Sequence, residues 1–140
     1  MAIQFHPRLG AVLMCDFTTG FQLPEMVKRR PVVVVSRKHR ELCTVVPLST
    51  AAPSPVEACH HKLSEHSLPF ALTKGRDVWA KCDLITTVGF GRLDRIMIGR
   101  EPRSGRRLYA SQRVNAADLR SIREGVLHVL ALNGLIWPEK

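Results

Sequence analysis

The chain has 140 residues, 45% of them hydrophobic, which is enough for one modest core and too little for two ordinary domains. No stretch approaches the roughly 18 uninterrupted apolar residues of a membrane span, and the start does not join charge to an apolar segment as a secretory leader does, so a soluble cytoplasmic protein is expected. Its 21 Lys and Arg outnumber 12 Asp and Glu, and this net charge of +9 favours a polyanionic partner, either nucleic acid or an acidic polypeptide.

Ala11 to Phe17 reads as a short apolar strand, followed by a loop through Thr18-Thr19-Gly20 and Pro24 to the cationic triplet Lys28-Arg29-Arg30. Val32 to Val35 is β-branched and apolar on both faces, as in a central strand, with Pro31 at its start, where a missing N–H is tolerated. Cys43 to Leu48 is the next strand. The run from Ser49 to Pro55 breaks periodicity and reads as a loop, and a further strand is expected near Cys59 to Leu63. From Val78 to Val88 the residues alternate: Ala80, Cys82, Leu84, Thr86 and Val88 point one way, and Trp79, Lys81, Asp83, Ile85 and Thr87 the other. Leu93 to Ile98 is a candidate strand. Arg100 to Arg113 reads as a basic hairpin or loop turning at Ser104-Gly105, with Tyr109 its one aromatic.

Only the C-terminus has helical spacing. Asn115 is a candidate cap with Asp118 three residues on, and Leu119, Ile122, Val126, Val129 and Leu130 repeat until Gly134. Several short strands and one helix predict a mainly β fold, a small barrel with an appended C-terminal helix. The predicted domain spans residues 1–140: a barrel over about 8–98, a basic insert over about 99–113 and the helix over about 115–133. The four cysteines, Cys15, Cys43, Cys59 and Cys82, show no paired spacing, and three sit in apolar runs, which suggests a reducing compartment and leaves a disulfide open.

In order along the chain, Gly10 to Phe17, Lys28-Arg29-Arg30-Pro31-Val32-Val33-Val34-Val35-Ser36, Val45-Val46-Pro47-Leu48-Ser49-Thr50, and Lys81-Cys82-Asp83-Leu84-Ile85-Thr86-Thr87-Val88 with Gly91-Arg92-Leu93 resemble the successive blocks of the PemK/MazF family. The Arg-Arg-Pro start and the long insert before the helix resemble its YifN-like branch. The resemblance implies an SH3-like barrel, usually dimeric, that acts as a ribonuclease toxin on single-stranded RNA and is held by an acidic antitoxin protein.

RNA carries its own nucleophile in the 2′-hydroxyl beside the scissile phosphate, so cleavage to a 2′,3′-cyclic phosphate needs a base, an acid and charge stabilisation, and no metal or other cofactor. A planar guanidinium can hold two nonbridging oxygens at once, which makes Arg30 a candidate stabiliser. By resemblance Arg30 takes the family's catalytic arginine position and Glu25 the acidic position of some members, both in a loop. Ser49 falls where the family has a phosphate-contacting Thr or Ser, and the hydroxyl of Thr50 can also donate to or accept from a phosphate. The plainer account of both is a strand-ending turn. Two apart in a strand, Lys81 and Asp83 are expected on one face, placed for acid–base work at a phosphate. Some family members use Arg and Asp there, and the alternative is an ordinary surface ion pair. Pro24 stands where those members carry His, and Leu84 where they carry Gln.

Trp79 is a candidate base-stacking residue or a core aromatic. Lys28, Arg29, Arg103, Arg106 and Arg107 are candidate contacts to an RNA backbone, or a solvated basic surface. Cys59-His60-His61 with His66 offers sulfur and imidazole at irregular spacing without the second half of a zinc motif, so no metal site is expected. An endoribonuclease, a catalytically silent RNA-binding barrel and a barrel whose basic groove takes an acidic protein chain all fit the sequence.

Overall fold

A computed structural model describes residues 2–64 and 67–136. Its centre is an antiparallel run of β1 (Val12–Asp16), β2 (Arg29–Ser36) and β3 (Leu42–Ser49). The valine run of β2 is buried on both faces, as its lack of alternation predicts. Val33 and Val35 enter one core with Val46 and Leu48, while Val32 and Val34 enter a second with Leu13, Cys15, Phe17 and Val45. Pro31 lies inside β2 rather than at its start. It faces Met14 of β1, and on its other side the ladder with β3 begins only at Val32↔Pro47, so the absent N–H falls where pairing has already ended.

The sheet continues through β4 (His60–Lys62), β5 (Trp79–Lys81), β6 (Thr86–Gly89) and β7 (Leu93–Asp94), in the order β4-β5-β3-β2-β1-β7 with β6 also on β3. No described pair joins β4 to β7, so the barrel is an open one. The fold class is mainly β with a C-terminal helix, as expected.

The long strand expected over Val78 to Val88 is broken. Leu48↔Ala80 and Val45↔Thr86 are both pairs of β3, so β3 advances three residues while its partner chain advances six. The surplus is taken up by a 3-10 turn at Cys82–Leu84 between β5 and β6. A local alternation of polar and apolar residues carries no information about such a slip in the partner's register.

The segment expected as one strand over Leu93 to Ile98 also divides, because β7 pairs with β1 whereas β8 (Met97–Arg100) leaves the barrel to form a separate hairpin with β9 (Arg107–Tyr109). This is the anticipated basic hairpin. A short helix, α1 (Phe70–Thr73), was not foreseen. Helix α2 (Ala116–Val129) starts as expected, with the Asn115 side chain accepting from Asp118 N–H at 2.7 Å. It ends at Val129, short of Gly134. Ala131 takes a left-handed φ of 56°, and Asn133–Ile136 forms a separate turn, α3. Ile122 seals the first core from α2, with Leu119 and Val126 packed beside it.

Asp118, a helix-start residue by its sequence position, is 1% exposed and ties α2 to β4 and the segment that follows it. Its carboxylate accepts from His61 Nε2 at 2.8 Å, from Ser64 N at 3.0 Å and Oγ at 2.9 Å, and from Ser67 Oγ. Burial alone would raise its pKa. The hydrogen bonds from Ser67, His61 and Ser64 outweigh that and hold it below the ordinary carboxylate value.

Candidate functional site

Strand register assembles one chemical face. Val32↔Pro47 brings Arg30 alongside Ser49, and Ser49 faces Trp79 on β5, so alternation puts Arg30, Ser49 and Trp79 on the same side of three neighbouring strands. Lys81, two residues on from Trp79, shares that side. Arg30 therefore belongs to β2, paired with Cys15, and not to a loop. Ser49 is likewise the last residue of β3, 8% exposed, and its Oγ accepts from Ala51 N–H at 3.1 Å. The loop expected from Ser49 begins instead at Thr50, which is exposed.

Arg30, Ser49, Thr50 and Arg76 line a cleft of about 180 Å³ floored by Leu68 and Leu72. Arg30 is half-buried, and its Nε is the one fully buried side-chain nitrogen or oxygen among the described residues without a hydrogen-bond partner. A desolvated donor left unbonded costs free energy unless something outside the chain meets it. Arg76 was not singled out from sequence, because it follows the weakly patterned stretch before Gly75.

Glu25 is apart from this cleft's lining. On the loop before β2 it closes a turn with Gln22: Gln22 N–H donates to its Oε1 at 2.6 Å, and its own N–H donates to Gln22 O at 2.8 Å. Asp83 is displaced from Lys81 by the 3-10 turn, with buried Cys82 between them. Asp83 thus lies in the turn and not in the strand where it was expected, and its Oδ1 stands 3.3 Å from Nε2 of His60, the residue that pairs with Lys81.

A second cleft, about 500 Å³, opens between the barrel and the β8–β9 hairpin. Arg29, Arg95, Arg100 and Arg107 line it, and the Arg95 guanidinium lies 4.0 Å over the Tyr109 ring. Leu72 lines both clefts, so they adjoin. Lys28 is exposed at the foot of β2, and Arg103 and Arg106 are exposed at the hairpin tip. Arg95, Arg100 and Tyr109 join Arg29 only through tertiary folding. Another arginine, Arg92, braces the β1–β2 loop by donating to Asp16 O at 3.0 Å and Thr19 O at 2.8 Å and by stacking 4.8 Å from the Phe21 ring. Nearby, the hydroxyl and N–H of Thr18 hold the Asp16 carboxyl below its usual pKa.

All four cysteines are buried free thiols, and burial pushes their pKa values up, to about 12 for Cys15 and Cys82. None is a ready nucleophile. No helix among the described residues is long and apolar enough to cross a membrane.

Residues 8–127 match the family described as the PemK-like, MazF-like toxin of type II toxin–antitoxin systems. The chain is 32% identical over 114 residues to the Escherichia coli (strain K12) protein YifN, itself uncharacterized, covering 68% of this chain and 76% of that one. MazF from Deinococcus radiodurans superposes with a TM-score of 0.63 at 18% identity, covering 91% of this chain and 99% of that one. A mycobacterial endoribonuclease in complex with its cognate antitoxin superposes at 0.60 with 20% identity, covering 94% and 99%. At these identities the two superpositions speak for the fold.

Proposed function

Since this chain belongs to the PemK-like, MazF-like toxin family of type II toxin–antitoxin systems, we propose that it is an endoribonuclease that cleaves single-stranded RNA in the cytoplasm by 2′-hydroxyl attack, without a metal in the reaction. The observation that carries this reading is Arg30, which lines a cleft with Ser49, Thr50 and Arg76 and whose guanidinium Nε is buried without a partner. A scissile phosphate there meets two donors held by strands, Arg30 and Ser49, and fixed donors are where transition-state charge is best stabilised. Arg30 holds the nonbridging oxygens, the Ser49 and Thr50 hydroxyls position the phosphate, and Arg76 adds a second guanidinium. Lys81 brings positive charge to the same face, and Trp79 offers a ring to a splayed base. Glu25 is the proposed proton acceptor from the neighbouring loop. The cleft of Arg29, Arg95, Arg100 and Arg107 carries the flanking strand, with Lys28, Arg103 and Arg106 at its margins.

The partner proposed for the protein is an acidic antitoxin chain, as the mycobacterial relative has a cognate antitoxin. Met97, Ile98 and Leu108 are exposed on the hairpin beside Arg100 and Arg107, a surface suited to a chain that alternates apolar and acidic side chains. A homodimer is proposed on family grounds.

The deciding experiment incubates the pure protein with long single-stranded RNA in EDTA. New ends bearing a 2′,3′-cyclic phosphate and a 5′-hydroxyl are expected, and cleavage of a 2′-deoxy substrate at the same position would sink the mechanism.

A further inference from the structure

Outside the arginine cleft, the fold gathers three chemically different metal ligands that the sequence scatters. Cys59, directly before β4, His60 at its start, and Asp83 in the 3-10 turn place one sulfur, one imidazole nitrogen and one carboxylate oxygen within 4.8 Å of one another. Two segments far apart in sequence meet here because β4 pairs with β5 as His60↔Lys81, which brings the ends of both strands together.

We propose that Cys59 Sγ, His60 Nε2 and an Asp83 carboxylate oxygen form a site for a divalent cation of the zinc class, with a fourth position open to water.

The donor set is chemically selective. Thiolate with imidazole and carboxylate suits Zn²⁺ or Co²⁺ and is poor for Mg²⁺ or Ca²⁺, which take oxygen. Tetrahedral coordination at ordinary zinc bond lengths separates ligand atoms by about 3.3 to 3.8 Å. His60 Nε2 and Asp83 Oδ1 are already 3.3 Å apart, so a modest side-chain adjustment closes the set around an ion. Burial is graded to suit a half-open site: Cys59 is 6% exposed, the His60 side chain 8% and the Asp83 side chain 47%, so the ion enters from the Asp83 side.

Two local contacts have to change. His60 Nδ1 accepts from Glu57 N–H at 3.0 Å, which leaves the ring proton on Nε2 facing Asp83. Coordination through Nε2 moves that proton to Nδ1 and breaks both the Glu57 contact and the direct His60–Asp83 contact, while Cys59 releases its thiol proton to solvent. These two contacts are exchanged for three metal–ligand bonds, and the Glu57 amide becomes a reporter of occupancy. The ion would fix the 3-10 turn against β4 and engage Asp83 as a ligand.

The site does not depend on the RNA-cleavage proposal, and its test uses no RNA. Reduced protein is titrated with Co²⁺ alone and followed by absorbance, then with Zn²⁺ as competitor. The expected result is a thiolate-to-cobalt charge-transfer band with the intense visible bands of tetrahedral Co²⁺, a shift of the Glu57 amide resonance, and displacement by Zn²⁺. Cys59→Ser should remove the charge-transfer band, and exposed Asp83→Asn, which leaves the core untouched, should weaken Co²⁺ binding at least tenfold. His61→Gln, which keeps a donor for Asp118, should bind as the parent does. No charge-transfer band in the parent protein, its persistence in Cys59→Ser, or parental affinity in Asp83→Asn would overturn the proposal.

Discussion

Arg30, the second residue of β2, is half-buried, lines the cleft and has an Nε without a partner inside the chain, so its proposed role is toward whatever occupies the cleft. Arg30→Ala is expected to lower RNA cleavage by about 100-fold or more while leaving the melting temperature nearly unchanged or slightly raised, because the substitution removes an unsatisfied donor. Arg30→Lys should not restore the rate, since an ammonium cannot make the bidentate contact. Single-turnover cleavage and thermal melts of the two variants check this, and a collapse of folding in Arg30→Ala would make the residue structural. Asp118 is the opposite case, a carboxylate whose partners are all internal: His61, Ser64 and Ser67. Asp118→Ala should cost about 2 to 3 kcal/mol by leaving those donors unpaired. Its folded pKa lies below the unfolded value, so its stabilisation is complete above the unfolded carboxylate pKa and is lost as pH falls through the folded one. The difference in denaturant midpoint between parent and variant should therefore narrow from neutral to acid pH, and a constant difference would refute the assignment.

Among the elements, the 3-10 turn between β5 and β6 has the largest consequence, because it takes Asp83 out of the strand that ends at Lys81 and sets it against His60. Coupled catalytic partners are strongly non-additive, whereas independent groups add. Lys81→Ala is expected to lower cleavage by removing positive charge, Asp83→Asn to leave it within a few fold, and the double variant to show the product of the two effects. A large loss in Asp83→Asn, not deepened by Lys81→Ala, would restore them as an acid–base pair. The turn is clamped from above by α2. A Cβ added at Gly125 would lie 2.8 Å from Cys82 Sγ and 3.0 Å from Cys59 O, and since the latter is backbone it cannot swing aside. Gly125→Ala should therefore destabilise the protein by about 1 to 3 kcal/mol, although alanine is the better helix former. Urea denaturation checks the sign: a stabilised variant would mean that α2 can move off the turn at no cost.

At the scale of the whole molecule, the charge of +9 is organised rather than uniform, with Arg29, Arg95, Arg100 and Arg107 drawn into one cleft that adjoins the Arg30 cleft. Binding of single-stranded RNA should weaken with salt. The double variant Arg100→Ala/Arg107→Ala should flatten the log–log slope by about 1.4, or about 0.7 for each phosphate that is no longer neutralised, without changing the cleavage position. An unchanged slope would take the hairpin off the RNA path. Much of this architecture was legible in the chain itself. The unbroken Val32 to Val35 run required a strand buried on both faces, and Asn115 with the helical spacing from Leu119 to Leu130 required a capped helix, because periodicity and capping are local properties. Tertiary structure alone decided the rest. The break at Cys82–Leu84 answers to the register of β3, the pairing of Asp118 with His61 and the meeting of Cys59 and His60 with Asp83 join segments distant in sequence, and Arg76 reaches the Arg30 cleft only because α1 and β5 pack there. Each depends on which strands become neighbours and in what alignment, a property of pairs of segments that no single segment contains.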